Sequence, residues 1–278
     1  ADVNVGDGKD TVTLGGTFDN SVLKLEGGND DLDIAAASTT STIFGGAGND
    51  DIDFAELITS FKITDSQGKA DITFVKGLTK TTVTTGDSAD KVTLTGTNAA
   101  TTSTFALAGG NDTLTIGAVN YAGSSLTAGD GDDSITLGGN VAKSGTSSSS
   151  IFLGAGKDKL AIAGGVEGAS ITSSAGDNLI DISAGAANTT GGTSAVDITL
   201  GSGADTVNFG STTNAAVIGS KTTIKLGAGN DLLVAGDNAS TGFTLFGGEG
   251  TDTVRLNDAN AAGADAFFNN ATSIEAVD

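Results

Sequence analysis

The chain is expected to be all-β: a parallel solenoid of short strands, stacked coil on coil into a rod of about 12 coils. Three observations carry this expectation. A unit of about 20 residues recurs from one end of the 278-residue chain to the other. Each unit joins a Gly-rich turn, an acid and a short alternating strand, as in FGGAGNDDIDF at 44–54. Apolar residues keep fixed offsets from that acid in every unit.

With the turn-ending acid as position zero, the units are centred on Asp10, Asp30, Asp50, Ala70, Asp90, Asp112, Asp133, Asp158, Asn178, Asp205, Asp231 and Asp252. The steps between them are 20, 20, 20, 20, 22, 21, 25, 20, 27, 26 and 21 residues. Two places before zero stands Gly, except for Ser88. Seven before, two after and four after zero stand residues such as Leu23, Leu32 and Ile34. All 36 such positions are apolar, in a chain that is only 37% hydrophobic.

Each unit reads as two strands and two turns. The first strand carries the apolar residue seven before zero, as in Val22-Leu23-Lys24-Leu25. The Gly-rich turn follows. The second strand alternates, as in Thr11-Val12-Thr13-Leu14, which puts Val12 and Leu14 inside and both threonines outside. A looser turn of Ala, Thr, Ser, Asn and Gly leads on. Such a unit is too short for a strand–helix–strand crossover, which needs about 30 residues. Coils spaced about 4.8 Å apart would give a rod on the order of 55–60 Å long. The longer steps place insertions at 141–150, 185–194 and 210–221, all in the looser turn. Residues 1–278 are read as a single solenoid domain and as a piece of a longer one, since both ends fall within repeats. Uncapped strand edges at those ends favour self-association.

Composition narrows the function. There is no Cys or His, so disulfides, the usual zinc ligand sets and the commonest general base are missing. An enzyme is not expected. A net charge of −21 opposes nucleic acid and anionic membrane surfaces. No apolar run of about 18 residues is present, so no membrane insertion is expected. Outward threonines such as Thr93, Thr115 and Thr136 form an array like that of ice-binding solenoids, but Asp33, Asp53 and Arg255 interrupt it.

The turns GGAGND at 45–50 and GGEGTD at 247–252 resemble the GGxGxDxUx repeats of RTX (hemolysin-type) calcium-binding β-rolls, where U is a large apolar residue. The resemblance runs through nearly the whole chain. It implies a right-handed parallel β-solenoid, a β-roll, with a Gly/Asp calcium turn on one edge. RTX rolls commonly carry such a turn on both edges, so a single ion row is expected here. The implied side-chain ligands are Asp10, Asp30, Asp50, Asp90, Asp112, Asp133, Asp158, Asp205, Asp231 and Asp252. Backbone carbonyls would come from turn residues around Gly8, Gly28, Gly46, Gly48, Gly110, Gly129, Gly131, Gly154, Gly156, Gly203, Gly227, Gly229, Gly248 and Gly250. Calcium takes about six to eight hard oxygens, more than one turn offers, so each ion would sit between stacked turns.

Seven neighbouring pairs of turns carry Asp on both sides, so about seven Ca²⁺ are expected, bringing −21 to roughly −7. The row is expected to weaken at Ala70, where the nearest acid, Asp71, is shifted by one residue onto an outward strand position, and at Asn178, where Asp177 is displaced by one. The function that follows from the resemblance is a calcium-stabilised structural protein of a bacterial surface layer, filament or matrix. It would be extracellular or on the cell surface, and self-associating. The alternative is a calcium-binding RTX module of a type I-secreted enzyme, toxin or adhesin.

Overall fold

The computed structural model describes residues 2–182, 195–209, 221–236, 243–257, 271–272, 274 and 276–277. They form an all-β solenoid without helix. Two sheets of 13 strands each run its length, and every strand pairs in parallel with its counterpart one coil away. The first sheet starts at Asp2–Asn4 and ends at Ala271–Thr272. The second starts at Thr11–Leu14 and ends at Ala276–Val277.

The pairing register is the register of the repeat. Leu23 faces Ile43, Ile43 faces Ile63, and Ile63 faces Val83 in the first sheet. Units of unequal length keep the same alignment: Leu126 faces Ile151, and Ile171 faces Ile198. Extra residues therefore leave the sheets undisturbed. At 141–150 the insertion closes on itself, with Ser144 and Ser147 exchanging N–H···O bonds of 2.9 and 3.1 Å. The insertion at 185–194, and 210–220 of the third, lie outside the described residues.

Period-two alternation sends one side of each strand inward, so the core is a set of stacked columns. Leu32, Ile52, Ile72, Val92 and Leu114 are fully buried in one of them. Phe54 and Phe74 stack with ring centroids 5.1 Å apart, and Phe61 meets Phe54 edge-on at 5.7 Å. Val3 departs from the inward expectation, being 42% exposed. It lies on the first rung, which is covered from one side only, and Val12 and Leu14 on that rung are half-buried.

A third sheet occupies what reads in sequence as a loose turn. Six two-residue strands run from Ser38–Thr39 to Val141–Ala142. The first residue of each strand points inward: Ser38, Ile58, Leu78, Ala100, Tyr121 and Val141 are buried. The corner after this strand is left-handed. Asn20, Thr40, Ser60, Lys80 and Thr102 have φ between 48 and 60°. The next residue in several coils is a buried Ser or Thr whose hydroxyl accepts the N–H of its counterpart. Thr81 bonds Ser103 at 3.1 Å and Ser103 bonds Ser124 at 3.0 Å in this way.

Phe74→Ala removes a ring stacked between coils and is expected to cost about 3–5 kcal/mol. The outward Thr115→Ala should stay within about 0.5 kcal/mol. Guanidinium unfolding of the two variants beside the parent measures the difference.

Candidate metal centre

The glycine turn joins the first sheet to the second. All fourteen glycines singled out from the sequence have positive φ, from 95° at Gly154 to 149° at Gly28. Gly48 shows why the position excludes a side chain. A Cβ there would stand 1.4 Å from the carbonyl oxygen of Gly28 in the coil before. The same contact recurs at Gly131 over Gly110 and at Gly229 over Gly203, each at 1.8 Å. Carbonyl oxygens of one turn therefore aim along the stack at the α-carbons of the next. Ser88 is not among the described residues with positive φ, so the fifth turn takes another backbone path. Where the second glycine of the turn is replaced, Glu26 and Ala108 take up the left-handed conformation themselves, at φ 74 and 71°.

The turn-ending aspartates point inward. Asp30, Asp50, Asp90, Asp112, Asp133, Asp158, Asp205, Asp231 and Asp252 are all at most 2% exposed. Each Oδ1 accepts the backbone N–H of the zero residue one coil earlier. Asp10 N–H donates to Asp30 at 2.8 Å, Asp30 to Asp50 at 2.9 Å, Asp90 to Asp112 at 2.8 Å, and Asp231 to Asp252 at 3.0 Å. Residues one place earlier form a second ladder of opposite sense on the surface. Asn29 accepts the N–H of Asn49 at 3.0 Å, and Asn111 that of Asp132 at 3.0 Å. Successive turns are thus clamped from both directions.

The second oxygen of these carboxylates differs from the first. Oδ2 of Asp10, Asp30, Asp50, Asp112, Asp133, Asp158 and Asp205 is buried without a hydrogen bond. Burial pushes Asp112 and Asp158 up to about 7 and Asp133 and Asp231 to about 6. The backbone N–H each accepts offsets part of that rise. Asp90 is raised by burial too, with the Ala70 N–H, the Thr85 hydroxyl and the Gly86 N–H opposing.

Asn178 is the internal contrast. Its Oδ1 continues the ladder, accepting Asp158 N–H at 3.1 Å. Its Nδ2, standing where other units have the second oxygen, donates to Gly176 O at 2.8 Å, Asp205 Oδ1 at 2.9 Å and Ser173 Oγ at 3.2 Å. An amide satisfies this position by itself and a carboxylate does not. The neighbouring Asp177 stays outside. It accepts Ala204 N–H at 2.9 Å and pairs with Lys157 at 3.0 Å, which together hold its carboxyl below the usual range.

Comparison with family models, curated proteins and solved structures gave no match. The site rests on its own geometry. Among the described residues, no three acidic side chains converge on one metal position. A hard cation here would draw on one or two carboxylates, with further oxygens from turn carbonyls and water. Buried carboxylate oxygens without a hydrogen bond, on turns whose carbonyls aim along the stack, are of the hard-oxygen type such a cation takes.

At Ala70 the structure places Asp71 as the alternation predicts: it sits half-buried on the outer face of the second sheet and pairs with Lys91 at 3.0 Å. The interior acid of that coil is Asp65, fully buried five residues before Ala70. Sequence reading passed over it because the repeat template looks for acid only at the turn's end. The outer face also carries Asp31, Asp51 and Asp71 in direct register. Partial burial, and then the charges of Asp53, Asp71 and Asp31, raise Asp51.

Two outcomes follow. Gly48→Ala should cost on the order of 3 kcal/mol, whereas Gly15→Ala, with open space at its α-carbon, should cost under about 1; thermal melts compare them. Second, the raised carboxyls hold protons that the unfolded chain has already lost. The metal-free fold should therefore be most stable near pH 4, losing stability as pH rises from there to about 7. A higher melting midpoint at pH 8 than at pH 5, in chelator, would contradict this.

Proposed function

We propose that this chain is a calcium-stabilised structural protein of a bacterial cell exterior, a component of a surface layer, filament or matrix built from RTX-type β-roll repeats. The observation that carries it is the contrast between the aspartates and Asn178. Where the ladder ends in an amide, the second terminal atom finds three acceptors. Where it ends in a carboxylate, as at Asp30, Asp50, Asp112, Asp133, Asp158 and Asp205, Oδ2 is buried without a hydrogen bond, on a turn whose carbonyls aim along the stack. A divalent cation supplies what those oxygens lack, and calcium accepts carboxylate and carbonyl oxygen together in loose geometry. Binding then adds to folding free energy, because the ligands converge only in the folded rod.

The structural role is supported by the regularity of the rod. The second sheet is stitched by backbone ladders throughout, and its outer face carries Thr, Ser, Lys and Asp in register. Millimolar calcium outside the cell suits carbonyl-rich sites of low charge, and self-association into a lattice or filament extends the same stacking. Nucleic acid and membrane insertion have no place in this reading, given the charge of −21.

Circular dichroism melts in chelator and in millimolar calcium test the proposal. Calcium at about 100 times its Kd should add roughly 2.7 kcal/mol for each site, seen as a large upward shift of the midpoint. The fall in stability from pH 5 to 8 should flatten or reverse in calcium, because the ligands must be deprotonated. Superimposable melts with and without calcium would overturn the reading.

A further inference from the structure

We propose that Asp65 forms the cation site of the fourth coil, replacing the turn-ending acid that Ala70 lacks. This deepens the calcium-row reading and rests on it. The turn DSQGKA at 65–70 is a transposed form of GGAGND at 45–50: the acid has moved from the last position of the turn to the first. Both positions point inward, because each lies on the inner face of the strand adjoining the turn. Asp65 and Ala70 are both 0% exposed. The carboxylate has changed walls but remains in the interior.

Three features single out this acid. Both of its oxygens are buried without a hydrogen bond, whereas the second oxygens of the ladder aspartates are orphaned one at a time. Five other coils place a buried leucine at this position, Leu25, Leu107, Leu153, Leu200 and Leu226, and where it is polar, as at Thr85 and Ser173, the side chain is an uncharged hydroxyl. A lone charge there is costly unless it is paired or neutralised. Room for the carboxylate has been made in the coil before. A Cβ on Gly45 would lie 2.6 Å from Asp65 Cγ and 2.9 Å from each of its oxygens. Asp65 therefore leans over Gly45 toward the third turn, the side on which Asp50 holds its own unpartnered Oδ2.

The backbone registers the exchange as well. With no carboxylate at position 70 to receive it, Asp50 N–H donates to Lys69 O at 3.0 Å. Ala70 N–H still donates to Asp90 Oδ1 at 2.7 Å, so the ladder resumes at once. A divalent cation bound by Asp65 with Asp50, and completed by turn carbonyls and water, keeps the row continuous across the fourth turn. The ligand class is a hard divalent ion, calcium in the first instance, with no nitrogen or sulfur ligand available from this chain.

Equilibrium dialysis of the full chain against calcium, with bound metal counted by atomic absorption, tests this. Three variants are compared with the parent: D65N, D112N as a control within the row, and D65G/A70D, which returns the acid to the turn's end. Circular dichroism checks that each stays β-rich. D65N and D112N should each bind fewer ions than the parent, and D65G/A70D should bind the same number. If D112N loses an ion and D65N does not, the Asp65 site is wrong and the row stands. An extra ion in D65G/A70D would likewise show that Asp65 was not a ligand. If D65N fails to fold, the double variant alone decides, since its count either matches or exceeds the parent's. A parent that binds no calcium overturns both the row and this site.

Discussion

In-register stacking is the constraint on which the rest of this structure depends. Between the outermost rungs, residues in the sheets have their own counterparts as neighbours above and below, at the spacing of a parallel ladder. A side chain is therefore tested against its repeats rather than against a varied core. Large apolar residues pass that test, as the Phe54–Phe74 stack shows. Carbonyl against α-carbon passes it only if the α-carbon belongs to glycine, as at Gly48 over Gly28. Charge fails it, because a column of like side chains is a column of repulsion. Asp31, Asp51 and Asp71 on the outer face are relieved by water and, at one end, by Lys91.

The interior aspartates meet the same difficulty without water. Half of each carboxylate is useful to the fold, because Oδ1 caps an N–H that the turn leaves without a strand partner. The other half is a liability in the absence of a proton or a cation. An all-amide ladder would cap the same N–H groups and satisfy itself, as Asn178 does. Ten coils carry Asp at this position and one carries Asn. On the calcium reading proposed above, proton and metal would compete for one set of oxygens, and the stability of the rod would depend on pH and calcium together.

Much of the fold was legible from the sequence because the solenoid converts a linear period directly into a spatial one. Once Val12, Leu32 and Ile52 stand at equal offsets, pairing each with the next is the only register that buries them all. The third sheet was not legible. Its strands are two residues long, too short to alternate, and their inward residues range from Ser38 to Tyr121. Nor were the left-handed corners at Thr40, Ser60 and Lys80, since these residue types do not announce positive φ. The aspartate row was visible as a row, but the unequal fates of its two oxygens were not.

By itself, then, the sequence determined the coil, its register and the edge on which glycine and acid gather, because these depend only on periodic spacing and on side-chain size and polarity. Alternation already placed Asp71 outside the row; tertiary structure alone decided that a further acid belongs to the interior. Asp71 and Asp177 lie one residue from the ladder position and face out, because a shift of one residue in a strand changes the face. Asp65 lies five residues away and faces in, because the turn folds its strand back against the other wall of the same cavity. Distance along the chain is a poor guide across a turn, where proximity is set by which way each wall points.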